Sequence, residues 1–166
     1  MSDDSTVARI AVRYGLEPLP VEGGLFRQTW RGPADADGRP SGTAILVLLA
    51  AAQDLFSALH RMPVDEIWHS YRGDPVELLL LAPDGTSRVT PLDTQLVVPA
   101  GTWMGARVAD GGAWSLCGTT MAPGFLPGDY EGGDVTDLTR RYPDAADHIR
   151  ALCRPDRPLR MDHEGT

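Results

Sequence analysis

The sequence predicts a mainly β fold, a barrel or sandwich of short antiparallel strands with short helices at its two ends. Three observations carry this. Between Leu25 and about Thr120 the chain breaks into short apolar or alternating runs of strand length. Turn-forming pairs separate those runs closely enough that neighbours must be antiparallel. A length of 166 residues supports one sizeable core and is too short for two ordinary domains, so all the runs share that core.

The elements follow in order. Val7, Ile10, Ala11 and Tyr14 recur at helical spacing behind Ser5 or Thr6 as a cap, with Gly15 as the stop, which predicts a helix over about 6–16. Strands are predicted at Leu25 to Arg31, Thr43 to Ala50, Glu66 to Tyr71, Val76 to Ala82, Thr86 to Thr90, Gln95 to Val98, Trp103 to Val108 and Ala113 to Thr119. A further strand opens the block SALHRMPVDEIWHSYRGD, Ser57 to Asp74, which turns at Pro63 before its second strand runs to Gly73. Asp84-Gly85 and Asp110-Gly111-Gly112 read as hairpin turns, and Gly73-Asp74-Pro75 breaks another pair. The polar segment Pro33 to Ser41 reads as a mobile loop. After Pro123 two short helices are predicted over about 134–153: Val135 to Tyr142 behind Asp134, and Ala145 to Cys153 entered through Pro143. They should pack outside the barrel. The charged segment 154–166 reads as a flexible tail.

Composition excludes several function classes. With 42% hydrophobic and 23% charged residues the chain has globular composition, and no apolar run is long enough to span a bilayer, so a soluble cytoplasmic protein without a membrane partner is expected. A net charge of −8 with no basic cluster argues against nucleic acid. All 15 cationic side chains are arginine, which rules out Schiff-base chemistry on a lysine. Cys117 lies in an apolar strand and Cys153 in a helix, so both should be buried, reduced thiols. There is no Gly-x-Ser-x-Gly elbow, no phosphate-binding loop with lysine and no Cys-x-x-Cys pair.

The blocks EGGLFRQTWRG, HRMPVDEIWHSYRGDPVEL, VVPAGTWMGARV and MAPGF, in this order from about residue 10 to residue 154, together resemble the cupin-5 family. That resemblance implies a cupin double-stranded β-helix, a jelly-roll barrel over about 22–125 within a single domain of 1–166, with a small molecule held in its lumen. In cupins a first motif places two histidines one residue apart ahead of a glutamate, with a glycine beyond, and a second motif follows Pro-x-Gly with another histidine. Glu66 and Gly73 match the first motif; His60 falls in the first histidine slot and Met62 in the second. After Pro99-Ala100-Gly101 the histidine slot holds Met104. The sequence also departs from the family at Gln28, where glutamate is common, and at Met104, where glutamine is common. Two missing histidines imply no metal and no other cofactor.

Alternation puts Glu66, Trp68 and Ser70 on one face of their strand and Ile67, His69 and Tyr71 on the other. By resemblance to cupins the Glu66 face points into the lumen, which leaves His69 against the outer shell in a structural hydrogen bond. His60 is the best candidate for chemistry, because an imidazole near its ordinary pKa of about 6.5 accepts a proton at neutral pH, and Glu66 can orient it. A histidine at this place also resembles the metal-free deoxysugar 3,5-epimerases, in which a histidine removes a proton beside a carbonyl. His60 and Glu66 are thus the expected catalytic pair. Arg27, Gln28, Trp68, Ser70, Thr102, Met104 and Ser115 are expected to bind substrate, with His69 as a further, weaker member.

Three readings of function remain open. The first is a metal-independent isomerase or epimerase acting by proton transfer, with Arg27 holding an anionic group and Tyr71, Tyr130 or water as the second proton carrier. The second is a non-catalytic binding or sensing module. The third is a metal-dependent oxygenase, for which the chain offers few ligands. Open sheet edges and the cupin resemblance lead us to expect a homodimer.

Overall fold

The run Val76-Glu77-Leu78-Leu79-Leu80-Leu81 is apolar at almost every position, which a strand tolerates only when both of its faces are covered. Val76, Leu78 and Leu80 belong to one buried cluster and Leu79 and Leu81 to a second. The same division runs through Thr43–Ala50, where Val47 and Leu49 face one way and Leu48 and Ala50 the other. Alternating assignment of this kind makes a layered molecule: two sheets face each other across a central core, and helices cover the outer faces.

The computed structural model describes residues 3–162. Its elements are helix α1 (Asp3–Tyr14), strands β1 (Glu17–Pro18), β2 (Leu25–Arg31), β3 (Thr43–Ala50), β4 (Ser57–Arg61), β5 (Glu66–Gly73), β6 (Val76–Leu81), β7 (Ser87–Leu92), β8 (Gln95–Val98), β9 (Trp103–Val108), β10 (Trp114–Met121) and β11 (Glu131–Gly132), then helices α2 (Val135–Arg141) and α3 (Ala146–Leu152). The first sheet runs β1-β2-β3-β10-β5-β8 and the second β11-β4-β9-β6-β7, all antiparallel where paired. This is the two-sheet jelly-roll arrangement that the turn pattern and the cupin resemblance imply.

Helix α1 packs Val7 on Leu48, Ala50 and Leu116 at the back of the first sheet, and Gly15 ends the helix at φ +62°. Asp134 caps α2 by accepting the Asp137 amide at 2.8 Å. Leu138, Tyr142, Ile149 and Leu152 from the two C-terminal helices cover Leu59, Leu79, Leu81 and Trp103 on the outside of the second sheet, as anticipated. The turns at Gly85 and Gly111 have φ of +92° and +86°, which suits glycine. Strand β7 continues through Pro91 to Leu92, past the predicted end at Thr90; it lies at a sheet edge, where a missing amide donor costs no ladder bond.

Two segments behave differently from their sequence signature. The polar loop 33–41 is tied down by Arg39, whose guanidinium grips Asp129 at 2.6 and 2.9 Å and the Gly124 carbonyl at 2.9 Å. Residues 154–162 run back along the barrel. Arg154 lies over the Phe56 ring, the Leu159 carbonyl accepts the Gly132 amide at 2.8 Å, and Met161 packs on the central core. The rest of the predicted tail, residues 163–166, lies outside the described residues.

Candidate functional site

The inner face of the first sheet is organised in rows, because each inward residue pairs with an inward residue on the neighbouring strand. At one end the row is Arg31, Thr43, Met121 and Glu66, across β2, β3, β10 and β5. One pleat further in come Gln28, Ile45, Thr119 and Trp68. Beyond them Phe26 still borders the cavity, while its row neighbours Val47 and Cys117 belong to the solid core. Trp68 and Met104 close the floor, with the Trp68 indole N–H directed at the Met104 sulfur at 3.5 Å. Above the floor a cavity of about 950 Å³ opens, lined by the first row, by Gln28, Ile45, Thr119 and Phe26, and from the other side by His60, Met62, Tyr130 and Glu22. Its volume is at the upper end of ordinary small-molecule pockets.

His60 enters from β4, where it pairs with Met104, and is only 2% exposed. Its Nδ1 lies 2.7 Å from the Ala58 carbonyl oxygen. A carbonyl only accepts, so Nδ1 carries the proton and Nε2 is the nitrogen that titrates. Nε2 stands 3.8 Å from the Glu66 carboxylate and 4.0 Å from that of Glu22, ion-pair separations that exceed hydrogen-bond length. Tyr130 stacks on the imidazole with ring centroids 5.2 Å apart.

Glu22 reaches the site from the loop between β1 and β2. The Ala58 amide donates to the Glu22 carbonyl at 3.0 Å and stitches that loop onto β4, and the Ser57 hydroxyl donates to the Glu22 carboxylate at 2.5 Å. Three positive φ angles within four residues fold the loop this tightly: Val21 at φ +66°, Gly23 at +97° and Gly24 at +80°. A β-branched residue in the left-handed region costs on the order of 1–3 kcal/mol and persists where its surroundings enforce it, which is typical of functional sites. No side chain fits at Gly23, whose missing Cβ would sit 2.8 Å from the Phe56 carbonyl.

These charges act on one another. Burial pulls the His60 pKa down, but the Glu22 and Glu66 carboxylates and the Ala58 carbonyl outweigh it and lift the group to about 9. Burial raises the Glu22 carboxyl above its ordinary range; Glu66 adds to the rise, while His60 and the Ser57 hydroxyl oppose it. Burial likewise pushes the Tyr130 phenol far up, so it keeps its proton. This bears against the expectation that His60 accepts a proton at neutral pH: between two carboxylates the imidazole holds its proton more tightly than a free one.

Of the residues expected from sequence, His60, Glu66 and Gln28 line the cavity. Trp68 and Met104 lie beneath it as packed floor, and Thr102 and Ser115 are buried away from it. Ser70 is exposed outside the lining. Arg27 points outward, donating to the Tyr14 carbonyl at 3.2 Å, because Phe26 and Gln28 take the inward positions of β2. His69 lies on the outer face between Thr120 at 3.0 Å and Gln95 at 3.3 Å, and Tyr71 is exposed beside it. Glu22 is not among the residues expected from sequence, because a lone glutamate ahead of Gly23-Gly24 carries no catalytic spacing; its one signal is its place at the head of the EGGLFRQTWRG block.

The metal that many cupins hold does not fit these donors. Met62 and Met104 fill two ligand slots with thioethers, which suit soft ions rather than the usual oxygen and nitrogen sites. No group of three or more His, Cys, Asp or Glu among the described residues is arranged to hold an ion. No helix among them is long and apolar enough to cross a membrane.

Comparison with known proteins places this geometry. Residues 8–132 match the family described as Cupin superfamily (DUF985). A crystal structure of a Shewanella oneidensis protein is similar at TM-score 0.80 and 27% identity, covering 89% of this chain and 96% of that one. A hypothetical protein from Leishmania major is similar at TM-score 0.77 and 26% identity, covering 88% and 97%. Lactobacillus farciminis oxalate decarboxylase shares the fold at TM-score 0.53 and 11% identity, covering 86% of this chain and 43% of its own. No curated protein matches.

Proposed function

This chain belongs to the cupin superfamily family DUF985, and from that premise we propose that it is a small-molecule isomerase or epimerase that moves a proton beside a carbonyl without a metal. The observation that carries the reading is His60 itself: Nδ1 locked on a carbonyl, Nε2 turned to the cavity between two buried carboxylates. Such an imidazolium is a preorganised donor for a carbonyl oxygen. Glu22, whose proton affinity burial raises, is the base. Its carboxylate takes a proton from the carbon next to the carbonyl, the C–H electron pair forms the carbon–carbon double bond, and the carbonyl oxygen takes the Nε2 proton. Glu66 balances the imidazolium charge. Return of a proton to the other face of the same carbon, with the enol O–H proton going back to Nε2, gives the epimer. Where that carbon carries a hydroxyl, loss of its O–H proton to Nε2 as Glu22 protonates the former carbonyl carbon gives the isomer.

The test is solvent exchange. Incubated in heavy water with a panel of small ketones, oxo acids and sugar phosphates, the protein is expected to exchange the proton beside the carbonyl of at least one, read by NMR. Glu22→Gln and His60→Gln should each stop the exchange. Tight binding without exchange would overturn the enzyme reading in favour of a binding or sensing cupin. Exchange that survives both substitutions would remove these residues from the mechanism.

A further inference from the structure

Strand β2 changes hands within its length. Phe26 and Gln28 face the cavity, and strict alternation would put Trp30 there next and Arg31 outside. Instead Gln28 pairs with Ile45, Trp30 with Ala44 and Arg31 with Thr43, so Thr29 is an extra residue, a β-bulge. Thr29 is held by its hydroxyl, which donates to the Ala44 carbonyl at 3.2 Å. The bulge turns Trp30 outward, against Gly32 and Gly42, and brings Arg31 into the cavity lining. Bulges re-aim side chains in this way beside functional sites.

The guanidinium so delivered has no hydrogen-bond or ion-pair partner among the described residues. Its acidic neighbours at the mouth do not answer it. Asp129 is engaged by Arg39 through two contacts, and Asp162 lines the same opening without pairing to Arg31. Arg160, the other arginine at the mouth, donates to the Tyr130 carbonyl at 3.4 Å and stands 3.9 Å from Glu131. Arg31 is solvent-exposed at the mouth, so its charge, free of protein partners in a chain of net charge −8, is available to an anion in the cavity.

We propose that Arg31 anchors an anionic group of the ligand, a carboxylate or a phosphate, while the opposite end of the molecule meets His60. This deepens the reading of the cavity as the ligand site and rests on it. Arg31 and Glu66 stand in one row three strand spacings apart, roughly 14 Å between backbones at about 4.8 Å per step. Both side chains line the same cavity, so the space between them fits a short metabolite bearing a carbonyl at one end and an acid at the other.

The proposal is tested by binding, independent of turnover, at constant ionic strength. The probes are two matched pairs: 4-oxopentanoate against 2-pentanone, and dihydroxyacetone phosphate against dihydroxyacetone. In the wild type one anion is expected to bind at least about tenfold more tightly than its neutral partner, the size of a charge-assisted contact; which pair shows it tells carboxylate from phosphate. Arg31→Gln should erase the difference, Arg31→Lys should keep part of it, and Arg27→Gln on the outer face should leave it intact. Equal binding of anion and neutral partner in both pairs, no binding of either anion, or a preference that survives Arg31→Gln overturns the proposal. Anion binding lost with Arg31 while carbon-proton exchange is absent would sink the isomerase reading and keep the anchor.

Discussion

Raising the pH through the weakly alkaline range should strip this protein of stability held by one imidazole. The His60 pKa stands at about 9 in the folded chain against an ordinary 6.5. At ~1.4 kcal/mol for each tenfold change in proton affinity, the tighter grip on the proton contributes about 3 kcal/mol. The sign follows from linkage. A group whose pKa rises on folding stabilises the fold fully below its unfolded value, and that contribution fades as the pH climbs through the folded value. The loss should therefore fall between about pH 6.5 and pH 9. Two buried thiols act in the same direction at higher pH, since burial pushes Cys117 up to about 12 and Cys153 up to about 11, while unfolded thiols ionise near 8.5. The informative quantity is thus the difference between wild type and His60→Gln in urea unfolding, measured from about pH 6 to about pH 9. The advantage of the wild type at the acid end should shrink by about 3 kcal/mol across that range. Because the substitution also leaves Glu22 without its counter-charge, an NMR titration of the His60 Nε2 nitrogen is the second arm, with an apparent pKa near 9. A titration at or below about pH 7, or a stability difference that stays flat, would refute the assignment of His60 as an imidazolium at neutral pH.

Other expected outcomes concern the scaffold and the donor set. Arg39→Ala removes the two-point grip on Asp129 and should cost on the order of 1–3 kcal/mol and open loop 33–41 to limited proteolysis; an unchanged melting temperature and digestion pattern would contradict it. Ile149→Ala empties a fully buried position between α3 and the second sheet and should cost about 2–5 kcal/mol in urea unfolding, a loss under 1 kcal/mol being the contrary result. Gly118→Ala should destabilise the fold, because the added Cβ would meet the Ile45 carbonyl at 2.6 Å and the Tyr71 ring at 2.8 Å; a melting temperature equal to wild type would contradict that. Metal analysis of purified protein should find far less than one ion per chain, and a stoichiometric metal lost in His60→Ala would overturn the metal-free reading.

The legible part of the site is the part governed by short-range periodicity. Alternation along one strand puts Glu66 and His69 on opposite faces, the cupin resemblance implies that the Glu66 face is the inner one, and the structure places Glu66 in the cavity lining and His69 outside. The same rule fails on β2, since Arg27 cannot face inward with Phe26 and Gln28, and one inserted residue at Thr29 transfers the inward arginine position to Arg31. Nothing local marks that insertion: a bulge exists only against the register of the strand beside it. Trp68 and Met104 were assigned the correct face but the wrong depth, because depth depends on how far the opposing sheet fills the lumen.

The sequence by itself determined the strand-and-turn order, the helices that cover the sheets, the two alternating faces of β5 and the absence of lysine chemistry, because each is a property of local pattern or composition; which face of β5 turns inward came with the cupin resemblance. Only the tertiary structure shows what surrounds His60. Its proton affinity depends on Glu22, brought in from far upstream in the chain by a strained loop, and on Glu66 across the lumen. Electrostatic coupling of that kind follows distance in space within a low-dielectric interior, and the linear order of residues does not record it.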